Sequence, residues 1–152
     1  MSQNEFSVID RYFKSIATHG PGVILGPGDD CAILTVPTGY ELCVSTDTLI
    51  EGVHFPMNAS ARIAACRTLA ANLSDLAAMG ASPHSFLLAL TLPRIDEAWL
   101  EEFSATLSEL SIRYLIPLVG GNLSKGPLSM TMTVNGLVPA GAAITRHGAL
   151  PG

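Results

Sequence analysis

The stretch LSMTMTVNGLV, residues 128–138, alternates apolar and polar side chains with a period of two. This period is typical of a β-strand that buries one face and leaves the other half-exposed. Two longer segments, 60–79 and 96–113, instead repeat apolar residues at helical spacing. Because a sheet buries an apolar face only against another layer, the sequence predicts an α+β fold. We expect a mixed or antiparallel sheet with helices packed on one of its faces.

Further strands are predicted where short apolar runs end in turn residues: 31–36, 41–50, 85–93 and 116–121. The first two are joined by the turn PTGY, and SFLLALTLP is apolar almost throughout, which predicts burial on both faces. A short helix is expected over 5–17, followed by a mobile, glycine-rich loop at 18–28 that closes over a ligand. For the helix at 60–79, Ser60 is the expected N-cap and Gly80 the expected stop.

The composition limits the kinds of molecule that the chain is expected to bind. With 152 residues it can form one domain with a core, but only 14% of the residues are charged against 48% hydrophobic. That charged fraction is well below the roughly 25% of soluble domains, so we expect a second copy or a further domain to cover part of the surface. The net charge is −5 and no Lys/Arg-rich run occurs, which argues against nucleic acid as a partner.

The sequence also predicts a cytoplasmic protein with no membrane partner. It shows no signal peptide and no apolar run near the roughly 20 residues that cross a bilayer. Cys31, Cys43 and Cys66 form no CxxC motif and are expected to be buried free thiols. The Gly/Pro-containing tail predicts a domain over 1–138, with 139–152 as the start of a linker to a C-terminal domain.

Oxygen-bearing side chains recur at the predicted strand and loop ends: Asp29, Asp30, Ser45, Thr46, Asp47, Asp75 and Asn122. Since strand ends at one edge of a sheet converge, we expect these groups to share one pocket. Neighbouring carboxylates repel unless they are protonated or neutralised, and hard oxygen donors suit Mg²⁺. An aspartate before a strand is also an ordinary turn residue, so both interpretations stay open at this point.

Asp75 and His54 are the most informative single positions. Asp75 lies in the middle of a predicted helix, where aspartate has poor propensity and no capping role. A ligand contact is our preferred interpretation, and a solvated helix face is the alternative. His54, beside Phe55, could be a core histidine, because a lone histidine near apolar residues is more often structural than catalytic. No P-loop, GxSxG or HExxH motif occurs.

Four blocks in this order, GPGDDCAIL, STDTLIEGVHF, NLSDLAAMGASP and LVGGNLSKGPLSMTMTVNG, resemble the N-terminal domain of the thiamine-monophosphate kinase family. The resemblance covers about residues 26–152. It implies that the domain over 1–138 binds ATP and magnesium. The reaction it implies is ATP- and Mg²⁺-dependent phosphorylation of thiamine monophosphate to thiamine diphosphate. It also implies the fold of aminoimidazole ribonucleotide synthetase, in which this domain completes a β-barrel with the second subunit of a homodimer.

The resemblance also implies roles for individual residues. The implied metal ligands are Asp30, Ser45, Thr46, Asp47, Asp75 and Asn122. His54 would contact the thiamine phosphate, and Gly121, Asn122 and Arg146 would contact ATP. No catalytic base is assigned, because a phosphate acceptor is already largely ionised at neutral pH. The family often has Asp where this chain has Asn122, which brings an oxygen but no charge.

Two other functions remain open on the sequence. One is a non-catalytic module that dimerises and binds nucleotide, which the neutral Asn122 favours. The other is a related synthetase with a different acceptor, as in the synthesis of aminoimidazole ribonucleotide or selenophosphate. Family members carry a C-terminal domain, so the 152 residues alone are expected to have little or no kinase activity.

Overall fold

The structure, a computed structural model, describes residues 5–16 and 20–149. The first described element is a helical segment that runs from α1 (Glu5–Val8) through a π-helical turn (Ile9–Phe13) to a 3-10 turn (Lys14–Ile16). The other elements follow in chain order: β1 (Val23–Leu25), β2 (Ile33–Leu34), β3 (Tyr40–Ile50), α2 (Ala61–Ala78), β4 (Ser82–Leu92), α3 (Glu97–Tyr114), β5 (Leu118–Lys125), β6 (Ser129–Pro139) and a 3-10 turn (Arg146–Gly148).

The main sheet has four strands in the order β3-β6-β4-β5. β6 pairs antiparallel with both β3 and β4, whereas β4 and β5 are parallel. A parallel pair needs a long crossover, and α3 provides it between β4 and β5. β1 and β2 form a separate two-stranded ribbon. The prediction of an α+β fold with a mixed sheet is therefore confirmed.

The helices cover one face of the main sheet. α2 packs on β3 and β6, and α3 packs on α2 and on the N-terminal helical segment. Every second residue of the central strands faces this layer and is buried, as the period of two requires. The core between sheet and helices contains Phe86, Leu88, Leu90, Met130, Met132, Val134, Leu69, Leu76, Leu100, Phe103 and Leu107. The opposite side, which we call the open face, has exposed side chains on β3, including Leu42 and Val44.

The predicted helix ends are confirmed and have local causes. Ser60 Oγ accepts a hydrogen bond from the Ile63 N–H at 3.3 Å, and Gly80 has a φ of 70° just after α2. At the start of α3, Asp96 Oδ1 accepts from the Trp99 N–H at 3.1 Å. These caps satisfy backbone groups that a helix end otherwise leaves unpaired.

Three details differ from the sequence prediction. The predicted loop at 18–28 contains strand β1, which pairs with β2, so β2 is not part of the main sheet. β4 is buried on its helix side, but Leu87, Ala89 and Thr91 are only half-buried on the open face. The cysteines are unpaired as expected, but none of the three is buried: Cys31 is exposed, and Cys43 and Cys66 are half-buried. Residues 17–19 and 150–152, which belong to the predicted helix, loop and tail, lie outside the described residues.

Candidate functional site

A first group of predicted site residues lies between β3 and α2. Ser45 Oγ donates a hydrogen bond to Asp75 Oδ2 at 2.6 Å, which joins the strand to the helix. Because alternate strand residues face the same side, Asp47 also faces α2. Asp47 is half-buried, and its carboxylate has no hydrogen bond or ion pair with the described part of the chain. Three oxygen-bearing side chains therefore line one face of β3, and one of them is unpaired.

Thr46 lies on the opposite side of the strand. Its hydroxyl donates to the Met132 carbonyl at 3.1 Å and pairs with Thr133 Oγ1 at 2.9 Å, on the open face. The Thr46 side chain therefore points away from Ser45 and Asp47. Any contribution of Thr46 to an ion on the α2 side has to come from its backbone.

A second group lines a cavity of about 840 Å³ between the N-terminal helical segment, the loop 27–32 and the strands β4 and β5. Asp30 and Asn122 both line this cavity, and Asp30 is exposed. The Asp30 N–H donates to Asp29 Oδ1 at 2.8 Å, so Asp29 acts as a turn residue. Asn122 Nδ2 donates to Ser124 Oγ at 2.7 Å, which leaves the Asn122 Oδ1 free to accept.

Gly121 has a steric reason to be glycine. A Cβ at this position would overlap the carbonyl group of Leu88 on the neighbouring strand. β5 therefore approaches β4 so closely at Gly121 that no side chain fits. The close approach fixes the backbone next to Asn122 on the wall of the cavity.

His54 lies in the turn that follows β3. The Ile50 N–H donates to His54 Nδ1 at 3.0 Å, and the His54 N–H donates to the Ile50 carbonyl at 2.9 Å. With Nδ1 occupied as an acceptor, the neutral ring carries its proton on Nε2. The imidazole is exposed while the adjacent Phe55 is buried, so the turn presents an N–H donor to solvent. The interpretation of His54 as a core residue is therefore wrong.

The expectation that all these oxygen-bearing side chains share one pocket is wrong within a single chain. Asp47 is on β3 and Asn122 is on β5, the two opposite edges of the sheet. Three inter-strand steps of about 4.8 Å separate these strands, and Asn122 pairs with Ala89 on the open face. No group of three or more His, Cys, Asp or Glu side chains in the described residues could hold a metal ion.

The donors near α2 nevertheless fit a hard cation. Ser45, Asp47 and Asp75 offer only oxygen atoms, and the unpaired carboxylate carries an uncompensated charge. Asn72, one turn before Asp75, is fully buried, and its Oδ1 has no hydrogen-bond partner among the described residues. A buried oxygen without a hydrogen-bond partner lowers the stability of the fold. The solvated-face interpretation of Asp75 is wrong, because its carboxylate is half-buried and bonded to Ser45.

Arg146, the last predicted site residue, is exposed in the final 3-10 turn. Sequence reasoning did not find the buried cluster of His84, Ser85 and Asn135, nor the unpaired Asn72 oxygen. These polar residues lie in apolar surroundings, and only the register of β4 and β6 shows which of them meet. No sequence motif marked them.

The chain spans about half the length of the curated relatives it matches. It is 51% identical over its 152 residues to thiamine-monophosphate kinase of Escherichia coli (strain K12), of which it covers 47%. A crystal structure of thiamine-monophosphate kinase from Stenotrophomonas maltophilia K279a matches with a TM-score of 0.80 and 43% identity, covering 94% of this chain and 45% of that chain. AaThiL complexed with AMPPCP and TMP matches with a TM-score of 0.64 and 25% identity, covering 91% and 44%.

No helix in the described ranges has both the length and the apolar character needed to cross a membrane. Residues 28–138 match the family model of the AIR synthase related protein, N-terminal domain. The resemblance to thiamine-monophosphate kinases that the four motifs suggested is thereby confirmed. Since the family model accounts for most of the chain, this chain belongs to the AIR synthase related protein family and carries its N-terminal domain.

Proposed function

We propose that this chain is the domain that binds ATP and Mg²⁺ in an enzyme that phosphorylates thiamine monophosphate. The reaction transfers the γ-phosphate of ATP to the phosphate of the acceptor and yields thiamine diphosphate. The observation that carries the proposal is the unpaired Asp47 carboxylate beside the Ser45–Asp75 hydrogen bond. It is supported by the 51% identity to the Escherichia coli kinase and by the AMPPCP and TMP bound to AaThiL.

Two groups of residues would hold metal ions. Ser45, Asp47 and Asp75 offer oxygens on the α2 side of β3, and Asp30 and Asn122 offer oxygens at the cavity. Because the groups are separate within one chain, we propose that they serve different ions. When bound, Mg²⁺ neutralises phosphate charge during the transfer. Thr46 would contribute through its backbone.

The nucleotide would occupy the cavity beside β5. A volume of about 840 Å³ lies within the range of small-molecule sites. Because Gly121 has no side chain, a ligand can approach the β5 backbone there, and the free Asn122 oxygen can accept hydrogen bonds. Arg146 is exposed and offers a planar, forked donor for phosphate.

His54 would orient the acceptor. Its Nδ1 is occupied by the Ile50 N–H, so Nε2–H is the group that can donate to the thiamine phosphate. The second pKa of a phosphate monoester is near 6, so the attacking oxygen is already ionised at pH 7. The site therefore needs donors that position two phosphates, and it needs no general base.

We also propose a homodimer in which the second copy covers the open face and completes a β-barrel. The open face of β3 exposes Tyr40, Leu42 and Val44, and β3 is an edge strand of the sheet. An exposed apolar edge of this length is a site for pairing or coverage. The low charged fraction supports the same arrangement. We place the enzyme in the cytoplasm and take 139–152 as the start of the linker to a C-terminal domain.

The test is formation of thiamine diphosphate by the intact protein with Mg-ATP and thiamine monophosphate. We expect Asp47→Asn to lower turnover about 10²- to 10³-fold, as the loss of one preorganised electrostatic group does. Glu102→Gln, which neutralises an exposed carboxylate on α3, is the matched control and should leave turnover unchanged. Normal turnover in Asp47→Asn would contradict the proposed role of Asp47.

A nucleotide-binding module without kinase activity is the second candidate, and the neutral Asn122 favours it. Calorimetry on the intact protein separates the two functions. A kinase binds both Mg-ATP and thiamine monophosphate, whereas the module binds Mg-ATP alone. A third outcome, turnover with another acceptor only, would keep phosphoryl transfer and reject the thiamine substrate.

A further inference from the structure

A buried polar cluster lies at the start of β4, away from the residues described so far. Pro83 pairs with Gly136 and Ser85 pairs with Asn135, so His84 is an extra residue on β4 and forms a β-bulge. Ser85 Oγ accepts from Asn135 Nδ2 at 3.1 Å and lies 3.1 Å from His84 Nδ1. All three side chains are buried. The bulge therefore turns an imidazole inward, where one hydrogen bond joins it to Ser85, which is itself held by Asn135.

The other ring nitrogen of His84 faces the backbone of Gly22. His84 Nε2 is buried and has no hydrogen-bond partner in the part of the chain that the structure describes. A Cβ added at Gly22 would lie 2.6 Å from Nε2 and 3.0 Å from the Thr35 carbonyl oxygen. Gly22 has a φ of 83°, which favours glycine. The ring therefore lies directly against the chain at a position where no side chain is tolerated.

Gly22 is at the base of the ribbon formed by β1 and β2. The Thr35 N–H donates to the Gly22 carbonyl at 2.8 Å, and β1 and β2 extend from this bond. A ribbon of three and two residues is marginal by itself. Its loop carries Asp29 and Asp30 to the wall of the cavity. The position of these carboxylates therefore depends on what holds the base of the ribbon.

We propose that His84 is a positioning residue: fixed by Ser85 and Asn135, its ring supports Gly22 and so sets where Asp30 lies opposite Asn122. The proposal rests on the function proposed above for the cavity. Burial also lowers the pKa of His84, so a neutral ring lies against the ribbon near pH 7. A histidine that only filled space would not affect the Asp30 loop separately from the rest of the fold.

The test compares His84→Ala with wild type by hydrogen exchange and by kinetics on the intact protein. We expect the Thr35 amide, which is bonded to Gly22, to exchange at least tenfold faster in His84→Ala, with the β3–β6 amides unchanged. We expect the KM for Mg-ATP to rise severalfold while kcat changes less than twofold. Thr106→Ala, which removes a buried hydroxyl bond within α3, is the control and should leave both readouts unchanged.

The two readouts separate this proposal from the proposed function. Unchanged exchange at Thr35 would overturn the support of the ribbon, even if the protein were not a kinase. Faster exchange with an unchanged KM for Mg-ATP would overturn the positioning role and leave His84 as a structural residue only. If no kinase activity is found, the affinity for Mg-ATP by calorimetry replaces KM. If His84→Ala does not fold, His84→Asn keeps an amide near Ser85, removes the ring beside Gly22, and is expected to give the same two changes.

Discussion

Asp47→Asn should stabilise the metal-free protein while it lowers turnover. The Asp47 carboxylate is half-buried and unpaired within the described residues, and Asp75 is bonded to Ser45 on the same side of β3. Ser45, whose hydroxyl binds Asp75, is two residues from Asp47 on β3. Residues two apart on a strand are roughly 7 Å apart, so we use about 7 Å as the scale of the separation between the two carboxylates. At that distance the repulsion is about 0.6 kcal/mol in water and about 2.4 kcal/mol at an effective dielectric constant of 20.

The expected gain in the free energy of unfolding is therefore about 1 kcal/mol, or roughly 2–4 °C in Tm for a domain of this size. The assay is thermal unfolding of the intact protein in EDTA and then with Mg²⁺. In Mg²⁺ the order should reverse, because bound ligand stabilises only the variant that binds it. Glu102→Gln controls for the loss of one negative charge from a protein of net charge −5. A lower Tm for Asp47→Asn in EDTA, or an equal response of both proteins to Mg²⁺, would refute the reasoning.

Three further predictions follow from the same structure. Gly121→Ala should lower the free energy of unfolding by about 3 kcal/mol or more and abolish nucleotide binding, because the new methyl group overlaps the Leu88 carbonyl and forces β5 away from β4. Urea unfolding measures the loss of stability and calorimetry measures nucleotide binding. Wild-type values in both assays would contradict the close approach of the two strands. Val44→Asp on the open face should convert a dimer to monomers in sedimentation experiments, and an unchanged sedimentation coefficient would place the interface elsewhere. The free energy of unfolding should fall as the pH drops below about 6.5, because the unfolded chain then takes up a proton that the buried His84 resists. His84→Asn should flatten this dependence between pH 7.5 and 5.5, and an equally steep profile in the variant would assign it to other groups.

The helices and the long strands could be predicted because their signals are local. The period of two in β6 and the apolar repeats of α2 and α3 follow from backbone geometry, which a few neighbouring residues specify. Ser60 and Gly80 mark the ends of α2 for the same reason, since a cap depends on residues within one turn. The oxygen-rich composition of the candidate site was also visible in the sequence.

The sequence by itself determined the α+β class, the helix ends and the family motifs. Only the tertiary structure decided that β2 pairs with β1, that Asp47 and Asn122 lie on opposite edges of the sheet, and that His84 lies against Gly22. These arrangements depend on strand pairing between residues far apart in the chain. Local propensity and periodicity carry no information about such partners, because pairing energies arise only after distant segments have packed together.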